Sequence, residues 1–219
     1  MARPAAVLDL DGTLVDTNYH HALSWYRALR RFEITVPVWR LHRHVGMGGD
    51  KFVAAVAGAE VEDRHGDELR ETWEQLFDEM IDEVAPLEGV RDLVVTLKER
   101  GHEVVLASSS VQKHFDHFLD VLGIRDDVDG WTTKDDVEAS KPAPDLVQAA
   151  LGKVRSDRAV MLGDTPWDVE AARRAGVETV CLITGGFSEQ ELFEAGAAAV
   201  FESLEAVRAH LDETPFCGD

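Results

Sequence analysis

Short apolar runs alternate with segments of helical periodicity over most of the chain. From residue 86 onward, apolar runs of strand length are separated by segments whose apolar residues recur every three or four positions. Such alternation is typical of a parallel sheet with helices on both faces. The segment after Leu211 continues neither pattern and is expected to be loose. The predicted strands are 5–10, 103–107, 128–132, 159–162, 178–182 and 198–201, and the predicted helices of this part are 88–100, 111–122, 143–152, 166–175, 188–195 and 203–212.

The stretch between the first two predicted strands has helical periodicity only. Its longest segment, residues 63–84, carries large apolar side chains along one face. Helices without strands cannot extend a sheet, so we expect residues 16–84 to form a separate all-α cap. Residues 1–15 and 85–219 would then form the α/β core domain. The predicted cap helices are 17–32, 37–45, 50–58 and 63–84.

Two carboxylates follow the first predicted strand. Asp9 and Asp11 are separated by one residue, and the chain turns at Gly12. Open α/β sheets bind ligands at the carboxyl ends of their strands, and two anions this close repel each other unless a cation or a shared proton intervenes. A hard divalent ion such as Mg²⁺ suits these oxygen ligands, and one carboxylate could attack an electrophile while the other moves a proton. The alternative is an acidic turn without a ligand.

Hydroxyl side chains follow the second predicted strand. Ser108, Ser109 and Ser110 come directly after 103–107 and precede a helix that is predicted to begin near Val111. Hydroxyls and free N–H groups at a helix N-terminus suit a phosphate oxygen. A serine that only caps the helix is the alternative interpretation.

A lysine and two further aspartates complete the candidate chemistry. Lys141 lies in the proline-rich turn 140–145, just before a predicted helix. Asp164 and Asp168 follow the fourth predicted strand at the turn that opens another helix. Taken singly, these are a solvated lysine and helix-capping acids. Together they add a cation and metal ligands to the carboxyl edge of the same sheet.

The order and spacing of these motifs resemble the haloacid dehalogenase superfamily of hydrolases across nearly the whole chain. The turn Ser140-Lys141-Pro142-Ala143-Pro144-Asp145 is especially similar to the phosphoglycolate phosphatase-like and β-phosphoglucomutase-like subgroup. The resemblance implies an α/β, Rossmann-like parallel sheet with an inserted helical cap of type I. The matching motifs are Asp9-x-Asp11-Gly12-Thr13, Ser108, Lys141 and Gly163-Asp164-x-x-x-Asp168.

The resemblance also implies catalytic roles. Asp9 would be the nucleophile that attacks phosphorus and forms an aspartyl-phosphate, because a carboxylate is already ionised at neutral pH. Asp11 would protonate the leaving oxygen and later deprotonate the hydrolytic water. Ser108 and Lys141 would hold the oxygens of the transferring phosphoryl group. The implied reaction is Mg²⁺-dependent hydrolysis of a small phosphorylated metabolite.

A magnesium site is part of the same resemblance. Asp9, the backbone carbonyl of Asp11 and Asp164 would coordinate the ion, and waters would complete its coordination. Asp168 would hold a metal-bound water rather than the ion itself.

The cap is expected to select the substrate. A glycine-rich loop, residues 45–51, opens a predicted cap helix and allows a close approach of backbone to a ligand. Lys51 would reach a polar or anionic part of the leaving group; a flexible connection with a solvated lysine is the alternative. His21 is either a pocket residue or a histidine packed on a helix face. The candidate substrate-binding residues are therefore Thr13, His21, Gly48, Gly49, Lys51 and Ser109.

Other activities compete with hydrolysis of a phosphate ester. A β-phosphoglucomutase-like enzyme would return the phosphoryl group from the aspartate to a sugar, and the sequence does not separate this alternative from hydrolysis. Phosphonatases resemble the chain less, because the residues around Lys51 match their cap lysine poorly. Dehalogenases need no acid at position 11, so Asp11 disfavours that activity. A non-catalytic binding protein would tolerate loss of Asp9, Asp11 or Lys141, all of which are present.

Composition and charge narrow the partners. The 219 residues include 22 basic and 42 acidic ones, which give a net charge of −20 and disfavour nucleic acids and anionic membranes. An anionic substrate then requires a local reversal of sign by the metal and Lys141. Cys181 and Cys217 are far apart and form no zinc motif, and no leader or membrane-spanning run is seen, so a cytoplasmic protein is expected. We expect a monomer or a small homo-oligomer.

Overall fold

A parallel sheet of six strands forms the centre of the molecule. The computed structural model describes residues 3–218. The strand order is β3-β2-β1-β4-β5-β6, and every neighbouring pair is parallel. All six predicted strands are therefore confirmed, with ends that shift by at most two residues. The strands are β1 (Ala5–Leu8), β2 (Val104–Ala107), β3 (Gly130–Thr132), β4 (Ala159–Gly163), β5 (Glu178–Leu182) and β6 (Ala199–Phe201).

The strand order reverses direction between β1 and β4. Strands before this point are added on one side of β1 and later strands on the other side. Leu8 at the end of β1 pairs with Leu162 of β4, so the segments that leave these two strands start side by side. In a Rossmann-like sheet such a switch point opens a crevice in which ligands bind.

Helices cover both faces of the sheet, as predicted. Ala6 and Leu8 contribute to one hydrophobic cluster, whereas Val7 between them contributes to another on the opposite face. Helices α5, α6 and α10 supply side chains to the first cluster, and α7 packs on the other face. The helices of this part are α5 (Val90–Glu99), α6 (Gln112–Leu122), α7 (Asp145–Leu151), α8 (Pro166–Arg174), α9 (Glu189–Ala195) and α10 (Leu204–Ala209).

Four helices lie between β1 and α5. Their buried side chains, including Trp25, Phe52 and Leu69, form a hydrophobic cluster distinct from those of the sheet. Phe77, near the end of the fourth helix, belongs instead to the core cluster of the sheet. The domain division at residues 16–84 stays a prediction, and we refer to these residues as the cap segment. Its helices are α1 (Asn18–Arg31), α2 (Val38–His42), α3 (Gly49–Ala57) and α4 (Ala59–Asp78).

Helix α4 differs from the sequence prediction at both ends. It begins at Ala59, because Gly58 with φ of 96° separates it from α3, and it ends at Asp78 rather than near residue 84. A short 3₁₀ helix, Ile81–Glu83, follows it. Within residues 3–218, no helix combines the length and apolarity needed to cross a bilayer. The other 3₁₀ helices are Lys134–Asp136, Ile183–Gly185, Leu211–Glu213 and Pro215–Cys217.

The expectation of a loose segment after Leu211 is wrong. The two 3₁₀ helices of this segment carry Leu211 and Phe216, both 1% exposed, into the hydrophobic core of the sheet. The ring of Phe216 packs against His102, whose Nδ1 lies 2.8 Å from the backbone oxygen of Pro4. Burial of these two large apolar side chains stabilises the segment although it has no helical periodicity.

Candidate active site

The acidic residues that follow β1 and β4 meet at the switch point of the sheet. The backbone N–H of Asp9 donates to the carbonyl of Leu162 at 2.9 Å, which continues the pairing of the two strands by one residue. Asp9 and Asp164 therefore leave the sheet next to each other, as the sequence predicts. Asp168 follows on the first turn of α8.

Three carboxylates are gathered within reach of a single ion. Asp9, Asp164 and Asp168 each offer one oxygen, and these oxygens lie within 4.8 Å of one another. All three residues are buried, with exposures of 3%, 0% and 0%. Buried carboxylates at this spacing need cations, and hard divalent ions take oxygen ligands of this kind. The donor set therefore fits Mg²⁺, although the side chain of Asp11 does not belong to the cluster.

Lys141 is the buried cation of this cluster. Its ammonium contacts Asp9 Oδ1 and lies 2.7 Å from Asp168 Oδ1, and the residue is 1% exposed. Burial opposes its charge, but Asp168 and Asp9 outweigh burial and raise the pKa of the ammonium. Lys141 thus remains charged, and one ammonium balances only part of the charge of three carboxylates.

Burial and the remaining negative charge raise the pKa values of two of the carboxyl groups. Burial raises the pKa of Asp9 to about 7, although Lys141 acts in the opposite direction. Burial, together with the charges of Asp168 and Asp9, also raises the pKa of Asp164 well above its ordinary value. A bound divalent cation would favour the ionised forms of both groups.

Asp164 is oriented by two side chains of the segment after β1. Thr13 Oγ1 donates to Asp164 Oδ1 at 3.0 Å, and Asn18 Nδ2 donates to Oδ2 at 2.9 Å. Thr13 is fully buried, so its hydroxyl is committed to this carboxylate. Gly12 and Gly185 lie against Asp164, and a Cβ at either position would be within 2.7 Å of Oδ2. The backbone therefore leaves no room for another side chain here.

Asp168 has two functions at once. Its Oδ2 accepts from the backbone N–H of Thr165 at 3.0 Å and from the Thr165 hydroxyl at 2.6 Å, which closes a capping box on α8. Its Oδ1 faces Lys141. The capping interpretation and the active-site interpretation of Asp168 are thus both compatible with its contacts.

Asp11 points to a different set of partners. Its Oδ2 accepts from Ser110 Oγ at 2.7 Å and from Ser108 Oγ at 3.3 Å, and its Oδ1 lies 2.9 Å from Nε2 of His21. Because an ionised carboxylate only accepts hydrogen bonds, this Nε2 carries the proton. Burial opposes the charge of Asp11. The hydrogen bonds from His21 and Ser110, together with the charge of His21, outweigh burial and lower the pKa of Asp11.

A chamber of about 60 Å³ lies between Asp11 and the cap segment. Trp25, Phe52 and Trp73 form an aromatic wall, in which the ring centroids of Trp25 lie 4.5 Å from Phe52 and 5.1 Å from Trp73. The polar end consists of Asp11, His21, Ser109 and Ser110, and the remaining lining residues are Val45, Gly46, Met47, Gly48 and Gly49. His21, Gly48, Gly49 and Ser109 are the predicted substrate-binding residues that line this chamber.

Lys51 does not line the chamber. Its Nζ donates to the backbone carbonyl of Ser140 at 2.7 Å, next to Lys141. Asp50 accepts a hydrogen bond from the hydroxyl of Ser140. Two hydrogen bonds therefore connect the glycine-rich loop of the cap segment to the turn that contains Lys141.

Sequence reasoning missed several contacts of the site. The serine run after β2 was interpreted as a partner for a phosphate oxygen, whereas the hydroxyl of Ser110 donates to Asp11. Asn18 and Trp73 lie on helices of the cap segment and reach the site only because those helices pack above the sheet. Thr184, which follows β5, donates to the carbonyl of Gly12 at 2.6 Å, and its position after a strand was a usable signal.

The sequence matches a known family over most of its length. The model of the haloacid dehalogenase-like hydrolase family matches residues 6–182. This range contains the acidic cluster, Lys141 and the complete cap segment. It ends at the last residue of β5.

Individual relatives cover nearly the whole chain. A phosphoglycolate phosphatase from Caulobacter vibrioides is 31% identical over 204 residues, which cover 90% of this chain and 85% of that protein. A phosphoglycolate phosphatase from Mesorhizobium japonicum is 24% identical and covers 97% and 96% of the two chains. The crystal structure of a hydrolase from Pseudomonas syringae superposes with a TM-score of 0.90 at 31% identity, covering 96% of this chain and 99% of that one.

Proposed function

We propose that this chain, which belongs to the haloacid dehalogenase-like hydrolase family, is a Mg²⁺-dependent phosphatase that acts on small phosphate monoesters through an aspartyl-phosphate. The single observation that carries the proposal is the buried group of Asp9, Asp164 and Asp168 around Lys141. It combines a nucleophile, metal ligands and a fixed cation at the switch point of the sheet. Asp11 and the adjacent chamber then supply a proton and space for the leaving group.

Asp9 is the nucleophile in the first step. One of its carboxylate oxygens forms a bond to phosphorus while the bond from phosphorus to the ester oxygen breaks. Lys141 supports this step because its contact with Asp9 Oδ1 fixes the orientation of the carboxylate. Asp11 is ionised while it accepts the hydrogen bonds from His21 and Ser110. It takes up a proton as the anionic ester binds and passes that proton to the departing oxygen, so that an alcohol leaves.

Water completes the reaction in the second step. Asp11, now ionised, accepts a proton from the water as the water oxygen bonds to phosphorus. The bond between phosphorus and Asp9 then breaks, which releases inorganic phosphate and restores the carboxylate. The hydrogen bonds from Ser108, Ser110 and His21 stabilise Asp11 in this ionised state.

Asp9, Asp164 and the backbone carbonyl of Asp11 would hold the magnesium ion. When bound, the ion supplies positive charge that reduces repulsion between the carboxylate and the anionic phosphate. Thr13 and Asn18 orient Asp164 for this purpose. Asp168 orients Lys141, and the capping box with Thr165 holds Asp168 in place.

The test is release of inorganic phosphate from a panel of small phosphate monoesters and p-nitrophenyl phosphate, with Mg²⁺ or with chelator. We expect metal-dependent turnover that falls by about 10³-fold or more in Asp9→Asn, because the covalent step is lost. Acid-quenched protein should show an increase in mass of one phosphoryl group at Asp9, and this adduct should be absent in the variant.

Asp16→Asn is the matched control. Asp16 is an exposed acid close to the same segment and has no partner in the acidic cluster. It should keep the activity of the unmodified protein, and circular dichroism should show both variants folded. Turnover by Asp9→Asn at the level of Asp16→Asn would overturn the proposal, as would hydrolysis that is unaffected by chelator.

A further inference from the structure

The walls of the chamber beside Asp11 limit the charge of the leaving group. Its lining residues within 3–218 include no lysine and no arginine, and the one carboxylate among them is Asp11 itself. His21 is the one basic side chain of the lining, and its Nε2 is bound to Asp11. A carboxylate on the leaving group would therefore lose hydration without gaining a counter-ion, and Asp11 would repel it.

Two nearby cations are held away from the chamber. Lys51 Nζ is bound to the carbonyl of Ser140. Arg70 donates to the carbonyl of Gly49 at 3.1 Å and forms ion pairs with Glu62 and Asp67, both at 2.8 Å. Lys51 is directed at a backbone carbonyl and Arg70 is paired with two carboxylates, so neither cation lines the chamber to neutralise an acidic leaving group.

Polar groups in the chamber are suited to an uncharged oxygen. Trp73 Nε1 and Ser109 Oγ are buried atoms with no hydrogen-bond partner among the described residues. Both residues line the chamber. A buried N–H or O–H without a partner is costly, so a ligand oxygen that accepts these hydrogen bonds would be favoured.

The volume of the chamber limits the size of the leaving group. The chamber has a volume of about 60 Å³. A cavity that holds one buried water requires roughly 10–15 Å³. The chamber therefore exceeds the space of a single water several times over but remains small. It favours a short polyol of two or three carbons over a bulky leaving group.

We propose that the preferred substrates are monophosphate esters of small, uncharged polyols rather than phosphorylated carboxylic acids. This inference rests on the proposed phosphatase function and specifies its substrate class. The aromatic wall packs against the carbon chain of the alcohol, and its free hydroxyl accepts from Trp73 or Ser109. Asp11 faces the ester oxygen at the polar end.

Matched ester pairs test the inference. In each pair the two esters differ only at one end, where the neutral member has a primary alcohol and the acidic member has a carboxylate. The pairs are 2-hydroxyethyl phosphate with 2-phosphoglycolate, and glycerol 1-phosphate with 3-phosphoglycerate. We expect kcat/KM to favour the neutral member of each pair by roughly tenfold or more, because a buried carboxylate without a counter-ion is strongly disfavoured. A smaller preference, or a preference for the acid, would overturn the inference while leaving the phosphatase function intact.

Binding to Asp9→Asn separates the inference from the reaction itself. Trp25 and Trp73 line the chamber, so tryptophan fluorescence can report the Kd of each ester without turnover. The neutral esters should again bind more tightly. If no ester is hydrolysed by the unmodified protein but this order of Kd persists, the phosphatase proposal fails and the preference of the chamber stands. Equal Kd values, or tighter binding of the acids, would overturn the preference.

A charge introduced into the chamber provides a second variant. Met47 lines the chamber and is partly exposed, so a lysine at this position can be accommodated. Met47→Lys should reduce the preference for the neutral esters by about tenfold, since it supplies the missing counter-ion. Met47→Leu keeps the site apolar and should leave the preference unchanged. An unchanged preference in Met47→Lys would contradict the assignment of the chamber to the leaving group.

Discussion

Lys51 and Ser140 join the cap segment to the sheet beside the buried cation of the site. The ammonium of Lys51 donates to the carbonyl oxygen of Ser140 at 2.7 Å, and the next residue in the chain is Lys141. A second contact holds the same turn, because the hydroxyl of Ser140 donates to Asp50. The position of the glycine-rich loop and the position of Lys141 are thereby coupled.

The first prediction concerns this coupling. Lys51→Met removes the ammonium but keeps an unbranched side chain of similar length, and it should lower kcat/KM by about tenfold for all esters alike. A hydrogen bond from a charged group contributes about 1.5 kcal/mol, and here that contribution holds the loop against the turn of Lys141. The measurement is kcat/KM for each member of the ester pairs.

Lys153→Met serves as the control, because Lys153 is exposed, follows α7 and takes no part in the contact between the glycine-rich loop and Ser140. It should leave every rate unchanged. A loss in Lys51→Met that is confined to the phosphorylated acids would contradict a positioning role. That result would instead support the original expectation that Lys51 contacts the leaving group.

The chemistry at the carboxyl ends of the strands could be predicted because it depends on local sequence. Asp9 and Asp164 each follow an apolar run, and parallel strands bring such positions to one edge of a sheet. The apolar periodicity of the cap segment likewise predicted its four helices, although the bounds of α4 differ from the prediction. These features require no knowledge of how distant segments pack.

The supporting contacts could not be predicted in the same way. Asn18 orients Asp164 across 146 residues, and Trp73 lines the chamber through the packing of α4 over the sheet. The docked segment around Phe216 was missed because its burial depends on contacts with the distant core of the sheet rather than on periodicity. Such contacts arise from tertiary packing, which short patterns do not encode.

The second prediction concerns the contact between His21 and Asp11. His21→Phe keeps a ring that can stack on Phe77, whose centroid lies 4.2 Å from that of His21, but it removes the hydrogen bond to Asp11. The pKa of Asp11 should rise toward its ordinary value, because the histidine lowers it in the unmodified protein. We expect kcat to fall by about 10- to 100-fold, since the proton-transfer group is no longer held in place.

His21→Gln is the matched variant, because its amide can still donate to Asp11. It should recover at least part of the lost kcat, and the affinity for Mg²⁺ should be the same in both variants. If His21→Phe turned over as fast as the unmodified protein, His21 would have no role in orienting Asp11.

The third prediction concerns the backbone beside Asp164. Gly12 has φ of 75°, and a Cβ there would lie 2.1 Å from Asp164 Oδ2 and 2.2 Å from Asn18 Nδ2. Gly12→Ala should therefore displace the Asp164 carboxylate as well as strain the backbone. Backbone strain of about 1–3 kcal/mol alone lowers Tm by several degrees. Calorimetric titration should in addition show weaker binding of Mg²⁺.

Gly101→Ala separates strain from displacement. Gly101 has a similar φ of 87°, but nothing lies within 4 Å of the position that a Cβ would take there, and it precedes β2 and does not belong to the acidic cluster. This variant should lower Tm while leaving the affinity for Mg²⁺ unchanged. Equal Mg²⁺ affinities in the two variants would show that Gly12 does not determine the placement of Asp164.

The fourth prediction concerns the pH dependence of the metal-free protein. The pKa of Asp9 is raised from 3.8 to about 7 by burial, so the folded protein binds this proton more tightly than the unfolded chain does. Its contribution to the free energy of unfolding is therefore greatest below the ordinary pKa and decreases as pH rises toward the folded value. Asp164 is shifted in the same direction. In chelator, Tm should decrease between pH 5 and pH 8.

Mg²⁺ should reverse this trend, because a cation stabilises the ionised carboxylates that burial disfavours. The increase in Tm on adding Mg²⁺ should thus be larger at pH 8 than at pH 5, where protons compete for Asp9 and Asp164. Asp9→Asn removes one of the two titrating groups, so Tm in chelator should depend less on pH in this variant. A stabilisation by Mg²⁺ that was equal at both pH values would mean that the ion binds without displacing protons, and hence that it binds outside the buried cluster.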